Sequence, residues 1–252
     1  MREIDLNIEI TNITEFIKDE LKKAGFSKLI VGLSGGIDSA VIAALCVEAI
    51  GKENVFGVMM PYKRSHPNSL YDAELLAEML EIQTEVVDIS DPVDAYFDKY
   101  DKDADILRRG NRMARERMCT LFDLSAKYEA LVAGTGNRSE LLIGYCTQYG
   151  DSACAFEPIG HLYKTEVKEM AKLLGIQESI INKKPTADLW EEQTDEDEIG
   201  ITYIKLDGIL HELYDLNKKP EEIFNFSNEE IDKVMRMYKT SAFKRRMPNI
   251  LE

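Results

Sequence analysis

Two short stretches of this chain carry residue types that could do chemistry together. The first is Ser34-Gly35-Gly36-Ile37-Asp38-Ser39, which follows the apolar run from Lys28 to Leu33 and precedes the Ala-, Leu- and Ile-rich run from Ala40 to Ala49. Read as strand, loop and helix, it is an anion cradle: two glycines let the backbone turn sharply, and two serine hydroxyls lie at a helix N-terminus with its partial positive charge. Phosphate is the guest that such a loop suits. Asp38 would repel phosphate unless a divalent cation lay between them, so its presence points to a metal-bound nucleotide. The second stretch, Gly134-Thr135-Gly136-Asn137-Arg138-Ser139-Glu140, repeats the pattern after another apolar run, Ala130 to Ala133. Here the glycines are expected to admit a ligand close to the backbone, Thr135 to donate to phosphate or ribose, and Glu140 to be a second hard oxygen ligand. Taken alone, this second loop reads equally well as a capped turn with Asn137 or Ser139 as N-cap and Glu140 in the first helical turn. A cation at a helix start, Lys164, is disfavoured by the dipole unless an anion lies nearby, which adds it to the candidates.

The elements that would position these groups alternate. Ile10, Ile13, Phe16, Ile17 and Leu21 recur at helical spacing before Gly25. Val55–Met60, Thr84–Ile89 and Ala130–Ala133 read as further strands after the first, with helices through Leu80 (capped by Asn68 or Ser69), over Arg109–Tyr128 and over Thr165–Leu174. Strand–helix alternation of this kind predicts βαβ units in a parallel sheet with ligands beyond the C-terminal strand ends, where the polar segment from Tyr62 to Pro67, with its two basic residues, also falls. Asp91–Asp105 lacks sustained periodicity and reads as a partly helical, mobile connection. Gly144–Pro158 reads as a substrate loop, and the acidic run Asp195–Glu198 after Pro185–Trp190 as a solvated turn or lid. Tyr203–Tyr214 and Asn228–Tyr238 read as terminal helices, followed by a basic tail. No repeat, low-complexity segment or linker divides the 252 residues, so one domain is expected.

Composition narrows the ligand. With 46 Asp plus Glu against 31 Lys plus Arg, the formal charge is −15, which disfavours general attraction to nucleic acid or anionic membrane. Arg108, Arg109, Arg112, Arg115 and Arg117 then make better sense as a local grip on a polyanionic small molecule. The four cysteines have no Cys-x-x-Cys spacing and read as reduced thiols of a cytoplasmic protein, with Cys46 and Cys119 expected to be buried helix packing. No uncharged apolar run approaches the ~18 residues of a membrane span. The three histidines, His66, His161 and His211, are scattered and read as surface or packing residues.

The first loop is not a Walker A sequence, since no Lys follows its glycines; it resembles the PP-loop of enzymes that split ATP into AMP and pyrophosphate to adenylate a substrate. That loop alone equally admits GMP synthetases, asparagine synthetases and tRNA-thiolating enzymes. Further landmarks decide: Gly110-Asn-x-x-Ala-Arg-x-Arg-Met118, Gly-Thr-x-Asn-x-Ser-Glu140, Gly-Tyr-x-Thr-x-Tyr-Gly-Asp151, Pro-Ile-Gly-x-Leu-Tyr-Lys-Thr165, Lys-Pro-Thr-Ala-Asp-Leu189 and Phe-Lys-Arg245. In this order they resemble ammonia-dependent NAD synthetase across most of the chain. The resemblance implies an α/β fold of the Rossmann-like, adenine nucleotide α-hydrolase-like kind, with a doubly wound, mostly parallel sheet of five-stranded type flanked by helices. It implies ATP binding by Gly32, Leu33, Ser34, Gly35, Gly36, Ile37, Asp38, Ser39, Thr135, Lys164 and Thr186, with Asp38 and Lys164 serving catalysis. Mg²⁺ would be held by Asp38 and Glu140, and deamido-NAD by Arg115 and Lys244. Ammonia is the implied nitrogen source, and a homodimer the implied assembly, its interface near Tyr145–Phe156 and the arginine-bearing helix. Three positions depart from the family pattern, all on the dinucleotide side: Gln148 where Lys is common, Ala155 where Asp is common, and Phe243 where His often stands. Two rivals share the first loop. A tRNA-modifying adenylating enzyme is disfavoured by the charge and the missing Cys pair, and a non-catalytic nucleotide sensor, which could dispense with the second carboxylate, by the presence of Glu140. Nothing in the 252 residues reads as a glutamine-hydrolysing site, since neither Cys146 nor Cys154 has a neighbouring His in sequence.

Overall fold

The structure, a computed structural model, describes all residues except Met1, Arg64, Glu191, Asn249 and Glu252. Arg64 of the polar Tyr62–Pro67 segment and Glu191 of the acidic stretch therefore lie outside the described residues. Four strands, β1 (Leu29–Gly32), β2 (Val55–Met59), β3 (Gln83–Val86) and β4 (Leu131–Val132), form one sheet in the order β3-β2-β1-β4. All pairs are parallel, with Leu29 opposite Val55 and Leu131, and Phe56 opposite Gln83. Where a fifth strand would lie beside β4 there is a single parallel bridge, Ala133 to Phe156.

Helices cover both faces: α1 (Leu6–Ala24), α2 (Ile37–Ile50), α3 (Pro67–Leu80), α4 (Ser90–Tyr100), α5 (Ile106–Tyr128), α6 (Arg138–Ile143), α7 (Lys164–Leu173) and α8 (Glu178–Ile181). The two-residue period of the strands assigns their sides. Leu29, Val31 and Leu33 pack with Ile13 and Ile17 of α1, Ile42 and Leu45 of α2, Leu76 of α3 and Met170 of α7. Ile30, Val58 and Val132 face the other way, against Val93 and Phe97 of α4 and Met113 and Leu124 of α5. A third cluster belongs to α9 (Asp195–Ile199), α10 (Tyr203–Leu210) and α11 (Asn228–Thr240), built on Leu206, Ile209, Ile231 and Val234 with Ile143 and Tyr163.

Several boundaries differ from the sequence expectation for identifiable reasons. Asp91–Asp105 is partly helical as expected, but its helix is regular and packed: α4 occupies Ser90–Tyr100, and its buried Val93 and Phe97 are four apart. Pro92 hides this pattern but falls in the first turn, where its missing N–H costs nothing. The cap of α3 is His66, whose Nδ1 accepts the Asn68 N–H at 3.2 Å, rather than Asn68 or Ser69. Tyr203–Tyr214 is not uniform, since α10 passes into a π turn at His211–Asp215. Cys119 is exposed on α5 rather than packed, whereas Cys46 is buried in α2 as expected.

Asp207 locks the helical cluster to the α/β part. Its carboxylate, on α10, accepts from the Ser139 hydroxyl of α6 and from the Thr165 N–H of α7, the latter at 2.9 Å. Burial pushes its pKa above the usual carboxylate range, against the pull of both donors. Asp207→Ala leaves two buried donors unmet, and each hydrogen bond to a charged group is worth about 1.5–3 kcal/mol. Urea unfolding of this variant should show a loss of about 3 kcal/mol or more; an unchanged midpoint would mean that these bonds are incidental.

Candidate active site

The site begins where β1 ends. Gly35 takes φ +71°, and a Cβ there would sit 2.1 Å from the Ser69 carbonyl, so only glycine lets the loop lie this close to α3. The two hydroxyls are knit into the loop: Ser39 Oγ donates to the Gly36 carbonyl at 3.0 Å and lies 3.1 Å from Ser34 Oγ, while the Ser34 N–H donates to Ser39 Oγ at 3.3 Å. Lys183 braces the same loop, its Nζ donating to the Gly35 carbonyl, Ser69 Oγ and the Asp72 carboxylate at 3.1–3.2 Å.

Asp38 sits in the first turn of α2, and Glu140 in the first turn of α6. Between them lies the Lys164 ammonium, at 2.5 Å from Asp38 Oδ2 and 2.9 Å from Glu140 Oε1. Asn137 joins the two carboxylates from the side. It is fully buried, donates through Nδ2 to Asp38 Oδ1 at 2.9 Å, and accepts the Glu140 N–H at 3.1 Å. The capped-turn reading of Glu140 is seen directly, Oε2 completing a capping box with Asn137, while Oε1 meets the Lys164 ammonium. Burial alone would lower the Lys164 pKa, but Asp38, Glu140 and Asp195 outweigh it and hold the ammonium charged. Burial pushes the Glu140 carboxyl up, with Lys164 pulling the other way. Two oxygen-only donors converging on one point is also the chemistry a hard divalent cation uses.

Sequence reasoning missed several neighbours. Asp195 is not on a solvated lid: α9 folds inward, Asp195 is 4% exposed, and it accepts from the hydroxyls of Tyr145 and Tyr203 at 3.1 Å. Tyr203 also reaches Glu140 Oε1 at 3.4 Å, and Lys164 lies 5.1 Å from its ring centre. Gly134 and Gly136 permit the close approach of Glu157. A Cβ at Gly134 would meet the Glu157 carboxylate at 2.3 Å, and the Gly136 N–H donates to it at 2.9 Å. Tyr145 apart, the only advance signal among these residues was a carboxylate or hydroxyl near a motif.

The remaining candidates lie apart from Lys164 in their contacts. Arg115 is exposed on α5 and donates to the Gln148 carbonyl at 3.3 Å; Lys244 donates to the carbonyls of Gly144 and Cys146 at 2.7 and 2.6 Å. Both thus grip the Gly144–Pro158 loop. Thr135 is partly exposed beside Gly136, and Thr186 accepts the Asp188 N–H at 3.0 Å in the segment that begins with Lys183. Ala155 runs beside β4, its N–H donating to the Val132 carbonyl, and Phe243 is exposed. Burial raises the thiol pKa of Cys146 to about 11 and that of Cys154 further still, so neither is poised as a thiolate. His66 caps α3, His161 pairs with Glu9, and His211 with Asp215. A cavity of about 830 Å³, large enough for a nucleoside, is lined by Tyr62, Arg109, Met113, Leu189 and Trp190.

A family model described as NAD synthase matches residues 9–248. This chain belongs to the NAD synthase family. It is 50% identical to the NH(3)-dependent NAD(+) synthetase of Fusobacterium nucleatum, over 99% of this chain and 98% of that one. Among solved structures it resembles the NH3-dependent NAD synthetase of Campylobacter jejuni, with a TM-score of 0.85 at 36% identity over 99% and 100% of the two chains. The NMN synthetase of Francisella tularensis is also similar, with a TM-score of 0.89 at 29% identity and 99% coverage of both. As a NAD synthase family member, the chain has a nucleotide as a substrate.

Glu157 yields a pH prediction. Burial raises its pKa from 4.5 to about 7 in the folded chain. A carboxyl with a raised folded pKa binds its proton more tightly when folded, so its contribution to stability is lost as pH rises through that window. Glu157→Gln keeps an acceptor for Gly136 but cannot ionise. Between pH 4.5 and 7 wild-type stability should decline relative to this variant by on the order of 3 kcal/mol. Parallel stability curves for the two would show that Glu157 keeps an ordinary pKa.

Proposed function

We propose that this protein is a ligase that amidates the nicotinate carboxylate of deamido-NAD with ammonia, converting ATP to AMP and pyrophosphate. The observation that carries the reading is the Lys164 ammonium held between Asp38 and Glu140 beside the serine–glycine loop. A carboxylate needs no enzyme nucleophile. It attacks the ATP α-phosphorus, the bond to pyrophosphate breaks, and ammonia then attacks the acyl carbon of the adenylate and displaces AMP. The protein's part is alignment and charge neutralisation. Loop N–H groups with Ser34 and Ser39 hold phosphate oxygens, Lys164 offsets the charge of departing pyrophosphate, and Thr135 and Thr186 contact the nucleotide. Asp38 and Glu140 are the residues to hold Mg²⁺, whose charge would stabilise the phosphates. Arg115 and Lys244, which grip the Gly144–Pro158 loop, are assigned to the dinucleotide. We read the chain as one domain of a cytoplasmic homodimer, with the exposed Ile106, Leu107, Phe122 and Tyr149 supporting an interface on α5 and that loop.

Purified protein with ATP, Mg²⁺ and ammonium should convert deamido-NAD to NAD and AMP. Nicotinate mononucleotide, offered separately, should react far more slowly; the reverse preference would move the enzyme to the mononucleotide. Asp38→Ala should abolish product formation while the protein remains folded, and Glu140→Gln should keep weak activity because an amide oxygen still coordinates without charge. Near-wild-type turnover of Asp38→Ala at saturating Mg²⁺ would sink the site assignment. Glutamine at equal nitrogen, with free ammonia scavenged, should give no comparable rate, and robust glutamine-dependent synthesis lost in Cys146→Ser or Cys154→Ser would overturn the nitrogen assignment.

A further inference from the structure

Arg117 stands out within the arginine cluster of α5, whose sequence suits a polyanion without saying which member meets it. It lies on the inward stripe of α5, one turn from buried Met113, which lines the nucleoside-sized cavity, and one turn from Leu121. Leu121 and Met60 are the residues a Cβ at Gly32 would meet, both at 3.4 Å, so this part of α5 lies against the C-terminal end of β1. The Nε–H of Arg117 donates to the Met60 carbonyl at 3.0 Å, just past the end of β2. Its guanidinium is thereby fixed above the strand ends, in the crevice where open α/β sheets bind ligands. Among the described residues no carboxylate comes within ion-pair distance. Asp188 and Asp151 are the charges it feels, but Asp188 accepts the His66 N–H and Asp151 accepts the Thr147 N–H. No described residue accepts from either Nη nitrogen, and neither is among the sealed, unpaired atoms of the interior, so both keep contact with solvent. Burial lowers its pKa below the arginine norm, a cost the fold bears on an otherwise apolar stripe.

We propose that Arg117 binds a substrate oxyanion, its free fork receiving a phosphate or carboxylate between the segment carrying Asp188 and the loop carrying Asp151. This rests on the reading of the site as one that joins a nucleotide to a carboxylate substrate. Planar, bidentate recognition of such oxyanions is what a guanidinium does and an ammonium does not. Arg115, two residues away, points to the opposite side of α5 and is spent on the Gln148 carbonyl.

The test uses the full chain with Arg117→Met and Arg117→Lys, reading ATP binding alone by calorimetry, KM for each substrate, kcat and thermal unfolding. Arg117→Met should keep or raise Tm, because it removes a poorly paired charge from an apolar stripe. It should weaken substrate binding about tenfold or more, the effect of losing one hydrogen bond to a charged group. Weaker ATP binding in isolation assigns the fork to phosphate, and a change confined to KM for the second substrate assigns it to that substrate's oxyanions. If Arg117→Met does not fold, Arg117→Lys decides, since it keeps the charge and loses the fork: a raised KM supports the proposal. A folded variant with lower Tm but wild-type binding and KM would reduce Arg117 to a structural residue and overturn it. Absence of amidation by the wild type would instead sink the proposed reaction, and the ATP-binding comparison would still test Arg117.

Discussion

Two carboxylates brought together out of water demand a cation, and the site is organised by that demand. Asp38 and Glu140 arrive from helices that follow different strands, far apart in the chain, and would repel each other without Lys164 between them. Removing one partner of a buried ion pair costs about 3–5 kcal/mol, and Lys164 is the one whose loss would leave two carboxylates unpaired. Asp195 adds a third negative charge nearby. The result is a pocket in which one ammonium answers three acidic side chains, while burial pushes the Glu140 and Asp195 carboxyls up.

Holding those charges in place occupies much of the surrounding fold. Parallel strands deliver the two helix N-termini to the same edge of the sheet, and Asn137 spans from one to the other. Behind them Ser139 donates to Asp207 and accepts the Lys164 N–H, so the lysine backbone is fixed through the third helical cluster. Lys183 does for the serine–glycine loop what Asp207 does for α7. In each case a residue far away in sequence satisfies backbone groups that the turn itself cannot.

The strands and the two glycine loops were legible because an apolar run that stops at Gly, Ser and Asp fits little besides a buried strand entering a tight turn. Glu140 was legible as a carboxylate near a loop, and its double duty as cap and charge partner needed the geometry. α4 was hidden by Pro92, which breaks a helix pattern anywhere except the first turn. Asp195 sat in an acidic run that composition assigns to solvent; what reverses this is two tyrosine hydroxyls, one 50 residues upstream and one 8 downstream, that no local pattern connects to it. Arg115 and Arg117 are alike in sequence, and only the rotation of α5 separates the rim from the crevice.

The parallel bridge between Ala133 and Phe156 has a bearing on how the protein behaves in a crowded solution. β4 has only two residues, and the Ala155 and Gly134 amides are hydrogen-bonded across to the chain beside them, so the stretch around Phe156 shields that border of the sheet from pairing with another molecule. The same loop carries Tyr145, which donates to Asp195, and Thr147, which donates to Asn111. A loop tethered at Ala155 guards this border of the sheet against fibril-like stacking.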